Sequence, residues 1–558
     1  MITKLLVKNY KILKNIQISL NSELNIFVGQ NESGKSTILE AIGIATTGRL
    51  HYYPFERQLR ANLFNNAIRK EYKDGLVSYK AGSYTAPSLP KIVIEVYLDD
   101  VAELALYKGK NNELREDVPG IRVEVSFNDE YADLYCKLLD EQDIEDIPVE
   151  LYKVHYKYFN GQEVLYRFAP VKSVLIDAGH KNYTHVVSQF INSNIEGLLT
   201  DQEKLDIGRE YRKSRSQFKK NPSIQKLNAE VAEKHTFDGR IVSVDFQEET
   251  VDAWKDQMTV ALDDVPFDNV GFGTQNVIKT ELAILNSPDK VNILLMEEPE
   301  NNLSYTNMTR MLEQIRKAAG KQIFIATHSS YVANTLSLKN LFLVRNGMAK
   351  AFSNISDDTY EFFQKLPGFD TLRAVLANKI IFVEGPTYEL IVKKCYKGLY
   401  GNLPIDDGID VIVAKGLTFK RFCDITMLLK KKVAVITDND CEGKKTDVVE
   451  DKIKSRYEGY YGTQYVDFFV EQNPKLHTIE PSVLAANCDQ APDGTLTPHL
   501  EFQQIVNKRN KKPMTFEELT AFMESNKVEW AFRVFESEKP IYYPKNIIDA
   551  IKAAREYE

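Results

Sequence analysis

Cysteine and tryptophan are scarce in this chain of 558 residues, which has five cysteines and two tryptophans. The cysteines are too scattered to form a C-x-x-C pair, which argues against a disulfide framework and against a structural zinc site. We therefore expect reduced thiols, most of them buried, at Cys136, Cys395, Cys423, Cys441 and Cys488.

Long apolar runs are also absent, since no run approaches eighteen residues. The first residues lack the charged head and continuous apolar core of a signal peptide. These absences predict a chain with no membrane partner and a cytoplasmic location. Its length, with 43% hydrophobic and 27% charged residues, suffices for two to four domains with at least two separate cores.

An excess of positive charge is absent as well, because the net charge is −8. This balance argues against coating nucleic acid with the whole surface, but local charge can differ. Two basic stretches are either solvated helix faces or DNA contacts. They contain Lys204, Arg209, Arg212, Lys213, Arg215, Lys219 and Lys220 in one case, and Lys508, Arg509, Lys511 and Lys512 in the other.

Apolar runs of strand length alternate with helical periodicity, which predicts an α/β fold. In a second unit that begins near Lys379, short connections predict a parallel sheet with ligands at the carboxyl ends of its strands. A polar helical stretch is predicted from about 183 to 234. The predicted strands are Ile2 to Val7, Ile16 to Leu20, Leu24 to Val28, Ile293 to Met296, Gln322 to Ala326, Ile380 to Val383, Ile409 to Val413 and Val433 to Ile436, with β-like pieces at Lys91 to Leu98, Ile121 to Phe127 and Val149 to Phe168.

Residues 29–36 fit the G-x-x-x-x-G-K-[ST] pattern of a P-loop, between a buried strand and a helix. In such a loop the glycines turn backbone N–H groups toward phosphates. Lys35 would reach the β and γ phosphates, and the Ser36 hydroxyl would bind Mg²⁺. The predicted ATP-binding residues of this segment are Gly29, Asn31, Gly34, Lys35, Ser36 and Thr37.

Paired carboxylates follow the apolar strand at 293–296, as in a Walker B motif. Glu297 would hold Mg²⁺ through water, and Glu298 would orient or deprotonate the attacking water. His328 follows the next strand, where it either senses the γ-phosphate or serves as a structural histidine.

Acidic residues also follow two strands of the second unit. Glu384 ends one strand, Glu389 comes one helical turn later, and Asp438 and Asp440 follow another strand at i, i+2 spacing. Carboxylates suit Mg²⁺ or Mn²⁺, and two such ions can support phosphodiester cleavage. Either motif alone is as readily a solvated loop.

The nucleotide-binding motifs resemble those of the ABC ATPase family, in the branch shared with SMC, RecF and Rad50-like proteins. The resemblance implies a head-to-head dimer in which a signature loop, here 271–275, completes the nucleotide site of a partner through Gly273 and Gln275. Phe272 replaces the usual serine, so hydrolysis would be slow or nucleotide would act as a switch. Residues 300–304 correspond to the D-loop.

The acidic motifs resemble the Toprim domain, with Glu384, Asp438 and Asp440 as its metal ligands. An ABC ATPase followed by Toprim resembles the OLD-family endonucleases, which include the nuclease subunit of Gabija anti-phage systems. That family implies a second metal held by Glu389 and by Glu480 of the Thr478-Ile479-Glu480 segment, and a role for Lys527.

These resemblances imply an α/β chain with an ABC-type ATPase head at 1–182 and 235–370, a helical insert at 183–234 and a Toprim nuclease domain with a parallel sheet at 371–558. The insert would serve dimerisation or contact DNA. In this hypothesis Glu384 or Glu480 positions water, and Lys527 stabilises charge on the phosphate.

The implied activity is ATP-regulated cleavage of double-stranded DNA with Mg²⁺ or Mn²⁺ in anti-phage defence, by a homodimer or higher homo-oligomer, with a helicase-like partner as a further candidate. One alternative is an SMC/RecF-like clamp or ATP switch whose Toprim unit only binds. Another is transesterification, which needs a nucleophilic tyrosine at the metal site, and none of the 29 tyrosines stands in a recognisable motif.

Overall fold

The computed structural model divides into two compact units, which are Met1–His328 with Val344–Lys350, and Ser329–Leu343 with Ala351–Glu558. It describes residues 1–557 except 52, 83–85, 142, 178–198, 235, 238–239, 242–253, 255–260, 286–291, 319, 337, 353–357, 360, 363–370, 415–417, 443–446 and 509–511. The first part of the predicted helical insert (183–198) and two basic residues, Arg509 and Lys511, lie outside the described residues. No described helix has the length and apolar character needed to cross a membrane.

The strands, numbered along the described residues, confirm most of the predicted ones. They are β1 Ile2–Tyr10, β2 Leu13–Ser19, β3 Leu24–Val28, β4 Arg49–Leu50, β5 Tyr53–Pro54, β6 Ile92–Leu98, β7 Lys108–Gly109, β8 Val118–Phe127, β9 Tyr152–Tyr158, β10 Ser173–Asp177, β11 Thr236–Phe237, β12 Arg240–Ile241, β13 Ala261–Leu262, β14 Val265–Pro266, β15 Ile293–Glu297, β16 Gln322–Thr327, β17 Leu341–Arg345, β18 Met348–Ala351, β19 Lys379–Val383, β20 Ile409–Val413, β21 Val433–Ile436, β22 Val466–Phe469, β23 Cys488–Gln490 and β24 Leu496–Pro498.

The α-helices of the described residues are numbered in the same way. They are α1 Lys35–Thr47, α2 Asn66–Lys80, α3 Ala132–Asp140, α4 Asp201–Lys219, α5 Pro222–Lys234, α6 Phe272–Leu285, α7 Tyr305–Lys317, α8 Ser330–Leu336, α9 Thr371–Leu376, α10 Pro386–Tyr400, α11 Thr418–Leu428, α12 Asp447–Arg456, α13 Ile479–Ala485, α14 Leu500–Val506, α15 Phe516–Ser525, α16 Lys527–Glu536 and α17 Lys545–Glu556. Helices α4 and α5 confirm the described part of the predicted helical stretch.

The first unit contains an antiparallel and a parallel sheet. The antiparallel sheet has the order β2-β1-β6-β8-β7, with β9 also paired to β8. In the parallel sheet, the strands β10, β15, β16 and β3 lie side by side in that order, followed by β17 and β18. The part of β17 and β18 that belongs to this unit is Val344–Lys350. Helix α1 contacts strands of both sheets, and its apolar residues are almost all buried. The nucleotide motifs therefore lie beside the main core of this unit.

One predicted strand region is wrong in part. The stretch from Val149 to Phe168 contains a single strand, β9, between short 3₁₀ turns at Val149–Leu151 and Tyr166–Phe168. The strand ends at Tyr158 and is followed by a turn, in which the Gly161 N–H donates to the Tyr158 carbonyl. The apolar and aromatic residues on both sides of this turn made the whole stretch look like sheet.

The second unit contains a parallel sheet of order β20-β19-β21-β22. Its strands are apolar because helices cover both faces of a parallel sheet. A core cluster of this unit joins strand residues such as Ile381 and Ile436 with helix residues such as Trp530 and Ile551. Helix α10 begins at Pro386, which has the preset backbone angle of a first helical residue, and it ends at Gly401 with φ 84°.

Candidate functional site

The parallel sheet of the first unit brings the predicted nucleotide motifs to one edge. Asp177 lies opposite Glu297 across β10 and β15, and Glu297 lies opposite Ala326 across β15 and β16. Thr327 in turn lies opposite Val28, the residue before the P-loop. Because the strands are parallel, the segments that follow them meet at the same edge.

The P-loop glycines are required by close backbone contacts. A Cβ on Gly29 would lie 2.3 Å from the Val344 carbonyl oxygen, and Gly34 has φ 111° with a Cβ position 2.9 Å from Ile12. Gly34 is the N-cap of α1 and has left-handed backbone geometry. A side chain at either position would displace the loop. Asn31 is exposed and the Thr37 side chain is buried in α1.

Lys35 lies beneath the loop rather than in solvent. Its Nζ donates to the Gly29 and Gln30 carbonyls, each at 3.1 Å, and lies 2.7 Å from His328 Nε2. Burial lowers the pKa of Lys35 against the opposing pull of nearby glutamates, and burial together with Lys35 lowers the pKa of His328. A neutral His328 can accept the hydrogen bond from the ammonium, so these predicted ligands form a connected pair.

Ser36 and Glu297, predicted to share one Mg²⁺, are in hydrogen-bond contact. Burial raises the pKa of Glu297, and the charge of Asp177 on the adjacent strand adds to that rise. Asp177 went unrecognised in the sequence because nothing there reveals that β10 pairs with β15. The two carboxylates and the hydroxyl form a set of oxygen atoms suited to a hard divalent cation.

Glu298 has the left-handed backbone angle φ 44°. Its carboxylate accepts a 2.6 Å hydrogen bond from Asn301 Nδ2 and lies 3.6 Å from His328 Nε2. Glu300 accepts hydrogen bonds from Thr327 Oγ1 at 2.6 Å and from the His328 N–H at 3.1 Å. The two glutamates thus join the D-loop segment to the end of β16. The Glu298 side chain remains 38% exposed, and a group that orients water must be accessible to water.

The signature segment begins helix α6. Gln275 is buried, and its Nε2 donates to the carbonyls of Phe267 at 2.9 Å and Val270 at 2.8 Å. A Cβ on Gly273 would lie 2.2 Å from the Asn302 carbonyl oxygen, whereas one on Gly271 would meet nothing within 4 Å. Gln275 therefore braces its own loop, and Gly273 allows close approach to the D-loop segment. Phe272 is 43% exposed.

In the second unit, Glu384 and Asp438 follow the two central strands, β19 and β21. Val383 lies opposite Ile436, so the acids share the carboxyl edge of the sheet. Glu384 Oε2 accepts hydrogen bonds from Thr437 Oγ1 at 2.8 Å and from the Asp438 N–H at 3.0 Å. These bonds hold the Glu384 carboxylate over the end of β21.

The surroundings of Asp438 indicate that the acids lie close together. Burial, with the charges of Glu384, Glu480 and Asp440, raises the pKa of Asp438 to about 7, against an opposing hydrogen bond from Tyr388. The Tyr388 hydroxyl donates to Asp438 Oδ1 at 2.5 Å and is buried. Tyr388 lies in the first turn of α10, and no motif in the sequence pointed to it.

The Asp438-Asn439-Asp440 loop is braced by its middle residue. Asn439 is 1% exposed, and its Nδ2 donates to the carbonyls of Glu471 at 2.8 Å and Asn473 at 3.2 Å. Asp440 then adopts φ 49° and accepts a 2.7 Å bond from Arg456 Nη1. This arrangement presents the Asp440 carboxylate at the site.

The other predicted residues of this site differ in their surroundings. Glu480 lies in the first turn of α13 and is 4% exposed, yet its carboxylate forms no hydrogen bond or ion pair with another described residue. Glu389 is paired with Lys393 at 2.5 Å on its own helix. Lys527 begins α16 and is exposed, and no hydrogen bond or ion pair joins it to the four acids in the described part of the chain.

The chemistry of Glu384, Asp438, Asp440 and Glu480 fits a divalent cation. Burial, with the charges of the neighbouring acids, raises the pKa of Asp438, and a hard cation would offset both effects by favouring the charged carboxylates. Across the described ranges, no three His, Cys, Asp or Glu side chains are already arranged to hold an ion. The acids therefore share an environment without forming a closed coordination shell.

Two families match the chain. The family described as AAA ATPase domain matches residues 1–333. The family described as Overcoming lysogenization defect protein-like, TOPRIM domain, matches residues 375–440, which contain β19, β20, β21 and three of the four acids.

The chain is similar to two curated DNA replication and repair proteins RecF. The one from Clostridium tetani is 23% identical over 254 residues, 43% of this chain and 64% of that protein. The one from Oceanobacillus iheyensis is 33% identical over 58 residues, 10% of this chain and 16% of that protein. The chain thus spans less than two thirds of the length of either relative.

Among solved structures, the SMC head domain from Thermotoga maritima is similar with 14% identity and a TM-score of 0.28, over 62% of this chain and 97% of that chain. The C-terminal region of the Xanthomonas campestris pv. campestris OLD protein is similar with 17% identity and a TM-score of 0.24, over 32% of this chain and 92% of that chain. These TM-scores are low, and the α/β fold assignment rests on the strand orders and the two family matches.

The match to residues 1–333 covers more than half of the 558 residues, and the nucleotide motifs at 29–36 and 293–298 lie within it. The chain therefore belongs to the AAA ATPase domain family.

Proposed function

We propose that this protein is an ATP-binding, divalent-metal-dependent DNA endonuclease of the OLD family, in which the ATPase domain regulates cleavage by the Toprim domain. One observation carries the proposal: burial, together with the charges of the neighbouring Glu384, Glu480 and Asp440, raises the pKa of Asp438 to about 7. Four acids from three separate segments at one sheet edge are unfavourable for stability. Their assembly is explained by phosphodiester chemistry.

In this proposal, Glu384, Asp438, Asp440 and Glu480 hold Mg²⁺ or Mn²⁺, and Glu389 contributes to a second ion. When bound, the ions would activate water and stabilise the leaving oxygen. Tyr388 orients Asp438 through its hydroxyl. Glu384 or Glu480 accepts a proton from the attacking water, and Lys527 stabilises charge on the phosphate.

In the ATPase domain, Gly29, Asn31, Gly34, Lys35, Ser36 and Thr37 bind nucleotide, and Ser36 with Glu297 holds its Mg²⁺. Glu298 orients the attacking water, while His328 and Lys35 contact the γ-phosphate. Gly273 and Gln275 shape the signature loop that meets a partner's nucleotide. The exposed Phe272 at this loop favours slow hydrolysis, and therefore regulation by nucleotide state.

The proposal places the ATPase domain at 1–182 and 235–370, the dimerising insert at 183–234 and the nuclease domain at 371–558. Its substrate is double-stranded DNA, cut by a homodimer or higher homo-oligomer in anti-phage defence, with a helicase-like protein as a candidate partner. The match of residues 375–440 to the Overcoming lysogenization defect protein-like TOPRIM family supports the family assignment.

A second candidate is a repair clamp, which the similarity to RecF proteins of DNA replication and repair favours. In that case the Toprim unit would bind DNA without cutting it. Transesterification is disfavoured, because Tyr388 is buried and its hydroxyl is committed to Asp438, whereas a nucleophile must reach the scissile phosphate.

Plasmid nicking tests the proposal. The purified chain should nick supercoiled DNA with Mg²⁺ or Mn²⁺, Glu384→Gln should abolish nicking at every metal concentration, and Lys35→Ala should change its dependence on ATP. Glu450→Gln is the matched control, because Glu450 pairs with Lys454 on α12 at 2.8 Å rather than joining the acids. Nicking that survives in Glu384→Gln would contradict the assignment, and DNA binding without nicking would favour the clamp.

A further inference from the structure

Arg456 is a cation at the acid site that the sequence did not point to. It ends helix α12, and its Nη1 lies 2.7 Å from Asp440 Oδ2. Its guanidinium also lies over the Tyr457 ring, 5.5 Å from the ring centre. The position of the Arg456 side chain is therefore fixed on two sides.

The guanidinium keeps most of its hydrogen-bonding capacity. Arginine has five N–H donors, and among the described residues the bond to Asp440 is the one hydrogen bond that Arg456 makes. Its side chain is 30% exposed. The remaining donors can reach a ligand without breaking a bond inside the protein.

From these contacts we infer that Arg456 is a phosphate-binding residue of the Toprim site, which grips the backbone of the DNA substrate next to the acids. The inference rests on the proposed function. A phosphodiester that approaches Glu384, Asp438, Asp440 and Glu480 meets four carboxyl groups, and a planar guanidinium offers paired donors that match phosphate oxygens.

Lys452 adds to this cationic edge. It lies one helical turn before Arg456, and its Nζ donates to the Asp440 carbonyl. Lys454, between them, pairs instead with Glu450 at 2.8 Å. Helix α12 therefore presents Lys452 and Arg456 to the acid loop, while Lys454 serves a different contact.

Loss of Arg456 should affect DNA binding and metal binding differently. If Arg456 served only to hold Asp440 in place, its loss would weaken the affinity for the metal ion. If it grips phosphate, its loss weakens DNA binding, while Asp440 loses a competing cation and binds metal equally well or more tightly.

The test measures binding of a labelled DNA duplex by fluorescence anisotropy in Ca²⁺, and Mn²⁺ binding to the full chain by calorimetry without DNA. Arg456→Ala should weaken duplex binding about 10-fold, as expected for loss of a charge-assisted hydrogen bond. It should also reduce the slope of log affinity against log salt by about one. Arg456→Lys should recover part of the affinity, and Lys454→Ala should bind as the wild type does.

Duplex affinity in Arg456→Ala equal to that of Lys454→Ala would overturn the inference, as would a loss of Mn²⁺ affinity. Nicking that depends on Glu384 while Arg456→Ala binds DNA normally would leave the proposed function standing and the inference refuted. Arg456-dependent binding by a chain that never nicks DNA would support the inference and refute the endonuclease. A wild-type chain that neither binds nor nicks DNA would refute both.

Discussion

Glu298 and Asp440 each follow a parallel strand and adopt a left-handed backbone, with φ 44° and 49°. This conformation is unfavourable for residues other than glycine and is maintained only where surrounding contacts fix it. The Glu298 N–H donates to the Ala326 carbonyl at 2.8 Å, and the Lys452 Nζ donates to the Asp440 carbonyl. In both cases the backbone turns a carboxylate toward the site, which a relaxed extension of the strand would not do.

His51 provides a pH-dependent contact next to the nucleotide motifs. Its Nε2 lies 3.0 Å from Glu40 Oε1 on α1, and the hydrogen bond to this carboxylate raises the pKa of His51. A protonated His51 therefore stabilises the fold below its unfolded-state pKa of about 6.5. That stabilisation is lost as the pH rises through the higher pKa of the folded state.

We expect His51→Gln to be less stable than the wild type at pH 6 by about 1 kcal/mol, the size expected for a partly screened charged hydrogen bond. The difference should shrink toward zero at pH 9. Thermal unfolding of both proteins across this pH range checks it. His499→Gln is the control, because its partner Asp489 is 88% exposed and screening leaves little stability to lose. A His51→Gln deficit that stays constant with pH would contradict the assigned ion pair.

At the scale of elements, the positions of the strands around both sites were predictable from the sequence because short apolar runs end in polar motifs. The order of the strands within each sheet could not be predicted, and that order decides which residues lie next to each acid. Asp177 approaches Glu297 because β10 pairs with β15, and their sequence separation gives no sign of it. Glu480 approaches Asp438 although they belong to different segments, and here family resemblance, rather than periodicity, pointed to Glu480.

The direction in which a side chain points also could not be predicted from the sequence. Gln275 was expected to contact nucleotide, but its amide is committed to the carbonyls of Phe267 and Val270. A motif gives the type of residue and its spacing, while the hydrogen bonds that orient the side chain depend on loops that the motif does not include.

The junction between α6 and the D-loop segment predicts a contrast between two glycines. Gly273→Ala would place its Cβ 2.2 Å from the Asn302 carbonyl oxygen. Because atoms cannot lie this close, the backbone near Glu300 and Glu298 must shift. We expect this variant to lose about 1 to 3 kcal/mol of stability, as overpacked sites do, and to hydrolyse ATP more slowly. Chemical unfolding and steady-state ATPase assays measure the two effects.

Gly271→Ala is the matched control, because a Cβ there meets nothing within 4 Å. It should keep the unfolding free energy and the ATPase rate of the wild type, if Gly271 acts only through its own chain. Equal losses in the two variants would mean that backbone freedom of the loop, rather than the approach to Asn302, makes glycine necessary.

At the scale of the whole molecule, the chain contains two compact units, and one core cluster that includes residues of the Toprim sheet is composed of residues of the second unit alone. A ligand stabilises only the folded part that binds it, by an amount set by its concentration relative to its Kd. Nucleotide should therefore protect the first unit and Mn²⁺ the second, even if one site is disabled.

We expect hydrogen exchange to slow around 29–47 and 293–300 with ATP and Mg²⁺, and around 379–384 and 433–440 with Mn²⁺ alone. At about 100 times Kd, protection should approach 2.7 kcal/mol. Lys35→Ala should lose the first effect and keep the second, and Glu384→Gln should do the reverse, because each removes a proposed ligand-binding group from one unit without altering the other. If Mn²⁺ failed to protect the second unit in Lys35→Ala, the metal site would depend on an intact nucleotide site, and the Toprim acids could not be treated as a self-contained centre.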